Sequence, residues 1–146
     1  MVGYNRGMSQ FRFSTPVEIR FADLDPQGHV NNAAFLTYFE QARMRYLAQL
    51  GLFHEDQALP DVGILLADAR VTFLVPVLLK MDLSVGARIS RVGRKSMMME
   101  YELLDEPSQT QLATGTTVLV AFDYHRKHSI FIPDAWREKI SKFENL

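Results

Sequence analysis

The chain has 146 residues, 47% of them hydrophobic and 23% charged, with 16 Lys or Arg against 17 Asp or Glu and no cysteine. That length suits one domain burying about two thirds of its unfolded surface, the net charge of -1 gives no general electrostatic reason to bind nucleic acid, and the absence of cysteine excludes disulfides, thiolate catalysis and zinc ribbons. No apolar run of about 20 residues spans a membrane and no continuous apolar stretch opens the chain, so the expectation is a cytoplasmic protein with a flexible N-terminus at 1–10 and one domain at 11–146. Val17, Ile19 and Phe21 alternate with Glu18 and Arg20, the period of a half-buried strand. Phe35, Tyr38, Phe39, Ala42, Tyr46, Leu47 and Leu50 then recur at three- and four-residue spacing, which predicts an amphipathic helix that Gly51 closes as a C-cap. Met81, Leu83, Val85, Ala87 and Ile89 alternate with polar residues, as do Met97, Met99, Tyr101 and Leu103, so both stretches read as strands with one buried face. After the turn "DEPSQ", residues 116–122 are apolar at both parities, which predicts a central strand covered on both faces or a subunit contact. Residues 133–143 read as a short helix with Pro133 near its first turn. The loop around 53–62 stays unassigned, no repeat or linker interrupts the chain, and the fold class is α+β.

Chemistry concentrates between Asp23 and Asn32, in D-L-D-P-Q-G-H-V-N-N. Pro26 disfavours helical backbone for Asp25, Gly28 permits positive φ, and Asn31 or Asn32 can cap the helix, so the Asp25 carboxylate sits beside a helix N-terminus. Such a terminus offers unpaired amides and a partial positive charge, suited to an oxygen that becomes negative during a reaction. Asp has a reference pKa of about 3.9 and is ionised at neutral pH, ready to act as general base or nucleophile. An alkoxide or amine must be protonated as it departs, whereas a thiol of pKa about 8.5 leaves as thiolate with little help. A lone Asp without a triad therefore suits thioesters better than amides.

Other readings of these residues are weaker. D-x-D-x-x-G also opens a calcium loop, but Gln27 and Ala34 stand where ligands belong, and the preceding segment is strand-like. Asp23 alone reads as a turn carboxylate bonded to nearby amides. His29 lacks an orienting carboxylate and reads as a turn residue whose backbone amide matters more. His125 and His128 lie three apart on an extended segment, hence on opposite faces, and read as a solvated basic loop rather than a metal pair. Glu40 reads as the partner of Arg43 in a surface pair rather than a second carboxylate. Met97, Met98 and Met99 read as strand packing, so no metal is expected.

"DLDPQGHVNN" followed by "FLTYFEQAR" resembles the hot-dog-fold acyl-CoA thioesterases of the 4-hydroxybenzoyl-CoA thioesterase type, with their D-x-D-x-x-G-H/V-V-N/Y stretch leading into a Y-F-x-x-A-R helix. The resemblance continues through "ARVTFLVPV" and "ARISRVGRKS", over nearly the whole chain. It implies a five-strand antiparallel sheet wrapped around the long helix, in a homodimer or dimer of dimers with active sites between subunits. It implies Asp25 as the catalytic carboxylate and backbone amides at Val30, Asn31 and Asn32 as the oxyanion site, with Gly28 and His29 at the substrate. Some members carry aromatics that read the acyl group at the positions held here by Asn31 and Asn32. Arg91, Arg94, Lys95 and Ser96 flank Gly93 in what is, from the residues, either a solvated hairpin turn or a phosphate site, and the resemblance favours the phosphates of coenzyme A. The expected reaction is hydrolysis of an acyl thioester to free acid and coenzyme A, with no cofactor beyond that substrate. A hot-dog enoyl thioester hydratase or dehydratase, using His29 with Asp25, and a noncatalytic acyl-thioester-binding protein are the alternatives.

Overall fold

In the computed structural model, which describes residues 10–53, 56, 58 and 63–146, strand β1 (Phe13–Val17) buries Phe13, Thr15 and Val17 and exposes Ser14 and Pro16. The expected flexible N-terminus lies outside the described residues except for Gln10, as does most of the unassigned loop. The strand expected at 17–21 sits four residues earlier than its alternation suggested. The chain leaves the sheet after Val17 and makes a short 3-10 turn at Phe21–Asp23. The Asp23 carboxylate causes this by taking the Arg20 amide at 3.0 Å and the Arg20 guanidinium at 2.9 Å, and Phe21 is turned out to 81% exposure.

Helix α1 (Asn32–Gln49) buries Ala34, Phe35, Tyr38, Phe39, Ala42, Arg43, Tyr46 and Leu47. Asn31 caps its start, accepting from the Ala33 amide at 2.9 Å. Its end is a Schellman motif: Gly51 has φ +73°, its amide donates to Ala48, and the Leu52 amide donates to Leu47 at 2.9 Å. Leu52 is buried there too, which anchors the turn leaving the helix.

The remaining strands are β2 (Ile64–Phe73), β3 (Leu83–Val92), β4 (Ser96–Asp105), β5 (Thr110–Asp123) and the short β6 (His128–Ser129), followed by helix α2 (Asp134–Glu144). All pairings are antiparallel, in the order β1-β3-β4-β5-β2, with β6 added to β5. The sheet packs on α1 through Phe39, Tyr46 and their strand neighbours, the arrangement that the resemblance implies. Val85, Ala87 and Ile89 from β3, Met97, Met99, Tyr101 and Leu103 from β4, and Leu119 and Ala121 from β5 point into the core. Each large side chain so buried stabilises the fold by about 1.5–3 kcal/mol. On β5 Leu112 and the odd positions from 113 to 121 are buried, while Thr116, Val118, Val120 and Phe122 are half-buried. The second face of that strand, for which the sequence left cover or a subunit contact, is only partly covered by the described residues.

Two features fix the seat of α1 and leave one edge of the sheet open. Phe39 lies on Gly115, where an added Cβ would stand 2.5 Å from its ring, and stacks on Tyr101 with centroids 4.8 Å apart. Strand β2 lies at the sheet edge, beyond the helix, and its side chains are exposed along almost the whole length. The positions that pair with the buried face of β5, namely Ile64, Leu66, Ala69, Val71 and Phe73, form an apolar stripe on the concave side.

Candidate active site

Residues 24–30 fold as a small hairpin. Leu24 and Val30 form a bridge, the Asp25 amide donates to the His29 carbonyl at 2.9 Å, and the Gly28 amide donates to the Asp25 carbonyl at 3.0 Å. Pro26 supplies the fixed φ of the turn, and Gly28 its left-handed residue at φ +79°. Oδ1 of Asp25 accepts from the Gln27 amide at 2.9 Å and, more weakly, from the His29 amide at 3.4 Å. One carboxylate oxygen is thus held by the turn. The other has no hydrogen-bond partner among the described residues.

The amides at the helix start are not equivalent. Val30 donates to the Val77 carbonyl at 2.8 Å, and Asn31 donates to the Asp23 carbonyl at 2.7 Å. Ala33 is capped by the Asn31 side chain, and Ala34 donates to the Asn31 carbonyl at 2.9 Å. Of the amides at Val30, Asn31 and Asn32, only that of Asn32 is left without a partner among the described residues. A free N–H at the first helical position, in the same loop as a carboxylate with one free oxygen, is the pairing that acyl transfer needs.

Asp23 is the fixed point of this loop. Its carboxylate, 4% exposed, accepts from the Tyr38 hydroxyl at 2.8 Å and from Arg20, tying the hairpin to the second turn of α1. Burial pushes the Asp23 pKa up, but the bonds from Arg20 and Tyr38 and the charge of Arg20 outweigh it and set the carboxyl below its ordinary value. Tyr38 moves the other way, its pKa raised by burial and by the bond to the Asp23 carboxylate. Tyr38 reads in the sequence only as part of an apolar stripe. The signal available there was that a buried Tyr hydroxyl needs a partner.

Arg43 also departs from expectation. Its contact with Glu40 is 3.7 Å, but the guanidinium is buried and donates to the Tyr101 hydroxyl at 3.3 Å, so this is not a pair of surface residues. His125 is exposed on the turn into β6, and His128 is exposed at the start of that strand. Among the described residues no group of three or more His, Asp or Glu could hold a metal ion, and no helix is long and apolar enough to cross a membrane.

The basic turn is not beside Asp25. Ser96 pairs with Val120 at one end of β5, whereas Phe73, whose ring meets Phe35 at 4.9 Å, pairs with Ala113 at the other. The strand rise of about 3.3 Å per residue puts about 23 Å between those ends. The hairpin of Asp25 belongs to the Phe73 end, through the bond from Val30 to Val77. Arg91, Arg94 and Lys95 are exposed and form no ion pair with an acid among the described residues.

Residues 19–140 match the thioesterase-like superfamily. The acyl-CoA thioesterase YbgC of Haemophilus influenzae is 32% identical over 113 residues, covering 75% of this chain and 79% of its own length. An acyl-acyl carrier protein thioesterase of Arabidopsis thaliana is 25% identical over 138 residues, 94% of this chain and 72% of that one. The crystal structure of a thioesterase from Thermus thermophilus, complexed with coenzyme A and Zn, is similar with a TM-score of 0.83 and 35% identity, covering 95% of this chain and 99% of that chain.

Proposed function

Because the chain belongs to the thioesterase-like superfamily and is a thioester hydrolase, we propose that it hydrolyses acyl-CoA with Asp25 as the reacting carboxylate and the Asn32 amide as the oxyanion donor. The observation that carries this reading is the Asp25 carboxylate, one oxygen fixed by the Gln27 amide and the other free among the described residues, in the loop that leads to a helical N–H likewise unpartnered among them. The thioester carbonyl oxygen would accept from Asn32, and the dipole of α1 favours the charge that develops there. The free Asp25 oxygen then acts in one of two ways. As general base it removes a proton from water while the water oxygen bonds to the carbonyl carbon. As nucleophile it forms a mixed anhydride that water cleaves. In both, the C–S bond breaks, coenzyme A leaves as thiolate, and the second product is the free acid. Single turnover in heavy-oxygen water detects the anhydride when water cleaves it at the Asp25 carbonyl, since only that route leaves label in Asp25.

The placement of the basic turn supports an active site shared between two copies. A coenzyme A bound at Asp25 would have to reach Arg94 and Lys95 across the length of the sheet if both came from one chain. Antiparallel pairing of β2 with the β2 of a second copy would set the partner's turn at this chain's Asp25 end. Strand β2 has the free edge for such pairing and an apolar concave stripe that needs cover. In this arrangement Arg91, Arg94, Lys95 and Ser96 contact the phosphates, Gly28 and His29 line the approach to the thioester, and the stripe from Leu66 to Phe73 faces the acyl chain. The testing experiment measures thiol release from acyl-CoAs of graded chain length, with Asp25→Asn in parallel. Release abolished by the substitution supports the reading, and absence of release from every acyl-CoA overturns the substrate assignment.

A further inference from the structure

We propose that Phe131 forms, with the turn between β3 and β4, a platform for a phosphorylated purine nucleotide, the far end of a coenzyme A thioester. The proposal rests on the acyl-CoA reading and adds the residue that meets the base. Phe131 is 68% exposed, while Ile132 beside it is 2% exposed. This outward ring is held in place, because the Ile130 amide donates to the Ala121 carbonyl at 2.9 Å and the Ile132 amide donates to the Arg94 carbonyl at 2.9 Å. Those bonds fix the alternation of the segment and leave Phe131 no inward option. The turn is braced from the same side. The Gly93 amide donates to the Ser96 carbonyl at 2.7 Å, and Arg137 donates to the carbonyls of Gly93 and Arg94.

The Lys95 ammonium lies 5.2 Å from the Phe131 ring centroid. The ring has no aromatic partner among the described residues, and its 68% exposure leaves most of its surface to solvent. A rigid exposed aromatic among unpaired cations fits a ligand that is flat at one end and multiply anionic at the other. An acidic protein surface would use the cations but not the ring. A nucleotide uses both, its base stacked on Phe131 and its phosphates on Arg94 and Lys95.

The test titrates adenosine 3′,5′-bisphosphate and, separately, inorganic phosphate into the full chain and its Phe131→Ala and Phe131→Trp variants, and follows KM for acyl-CoA against the same acyl group on pantetheine. Phe131→Ala is expected to weaken bisphosphate binding and raise KM for acyl-CoA about tenfold, the scale of one lost base–aromatic stack. Phe131→Trp should restore both, with kcat, phosphate affinity and KM for acyl-pantetheine unchanged. Unchanged bisphosphate affinity in Phe131→Ala, or an equal rise in KM for both thioesters, overturns the platform. The titration needs no turnover, so a protein that binds the bisphosphate through Phe131 but cleaves no acyl-CoA keeps the platform and overturns the substrate reading alone.

Discussion

The two ends of the sheet treat charge in opposite ways. At the hairpin end, Asp23 is buried under bonds from Arg20 and Tyr38, and Asp25 has one oxygen engaged by the turn. At the β3–β4 turn, Arg91, Arg94 and Lys95 stand in solvent without acidic partners among the described residues, although their backbone is firmly held. Fixed charge at the first end suits reaction, since a carboxylate and an amide that do not reorganise lower a barrier. Free charge at the second suits capture of a flexible polyanion, which brings its own geometry. One chain carries both halves, about a sheet length apart.

Several substitutions bear on this contrast. The largest effect is expected from Asp25→Asn, which keeps the acceptor for Gln27 but removes the charge; kcat should fall at least ~100 to 1000-fold with an unchanged far-ultraviolet spectrum, and retention of most activity would remove the hairpin end from the reaction. Next is the separation of the halves. The double variant Arg94→Ala with Lys95→Ala should raise KM for acyl-CoA about 10 to 100-fold. Mixed and re-associated with Asp25→Asn chains, it should regain activity at low substrate, because one site in each mixed dimer is intact. No regain would mean that a single chain supplies both halves. Tyr38→Phe should lower stability by about 1–3 kcal/mol in urea unfolding, the cost of a charged acceptor losing a buried donor.

Asp23 also gives a pH signature. Its folded-state pKa lies below the ordinary 3.8, so the fold binds the charged form; this contribution is present above about pH 4 and is lost as pH falls through the lowered value. Asp23→Asn should flatten the acid limb of stability, measured as unfolding midpoint against pH. The smallest effect is at Gly28, where an added Cβ meets nothing within 4 Å and only the positive φ opposes it. Gly28→Ala should cost about 1 kcal/mol and lower the melting temperature by a few degrees.

Legibility in the sequence depended on range. Pro26, Gly28 and the cap at Asn31 act within a few residues, so the hairpin and the helix start were legible, as was Gly51 at the helix end. The partners of the Val30 and Asn31 amides were not, because the accepting carbonyls of Val77 and Asp23 are brought there by the fold. The alternation of Ile19 and Phe21 misled for a similar reason: capture of Arg20 by Asp23 overrides a strand pattern. A buried Arg43 was hidden by its Glu40 neighbour, since spacing along a helix shows adjacency but not depth.

The seat of Phe39 on Gly115 bears on how such a chain can evolve. An Ala at position 115 would put a methyl 2.5 Å from the Phe39 ring and 3.2 Å from the Arg70 carbonyl. The Phe39 ring would have to shift, and with it the seat of α1, which carries the Asn32 amide two turns away. Exposed Asn31 and Asn32 can drift with little steric consequence, whereas any side chain at position 115 requires the Phe39 ring to move. A lineage acquiring Gly115→Ala would need a smaller residue at 39 in the same passage, such as Phe39→Leu. Positions 39 and 115 should therefore vary together or not at all, and libraries aimed at new acyl substrates would do best to leave both alone.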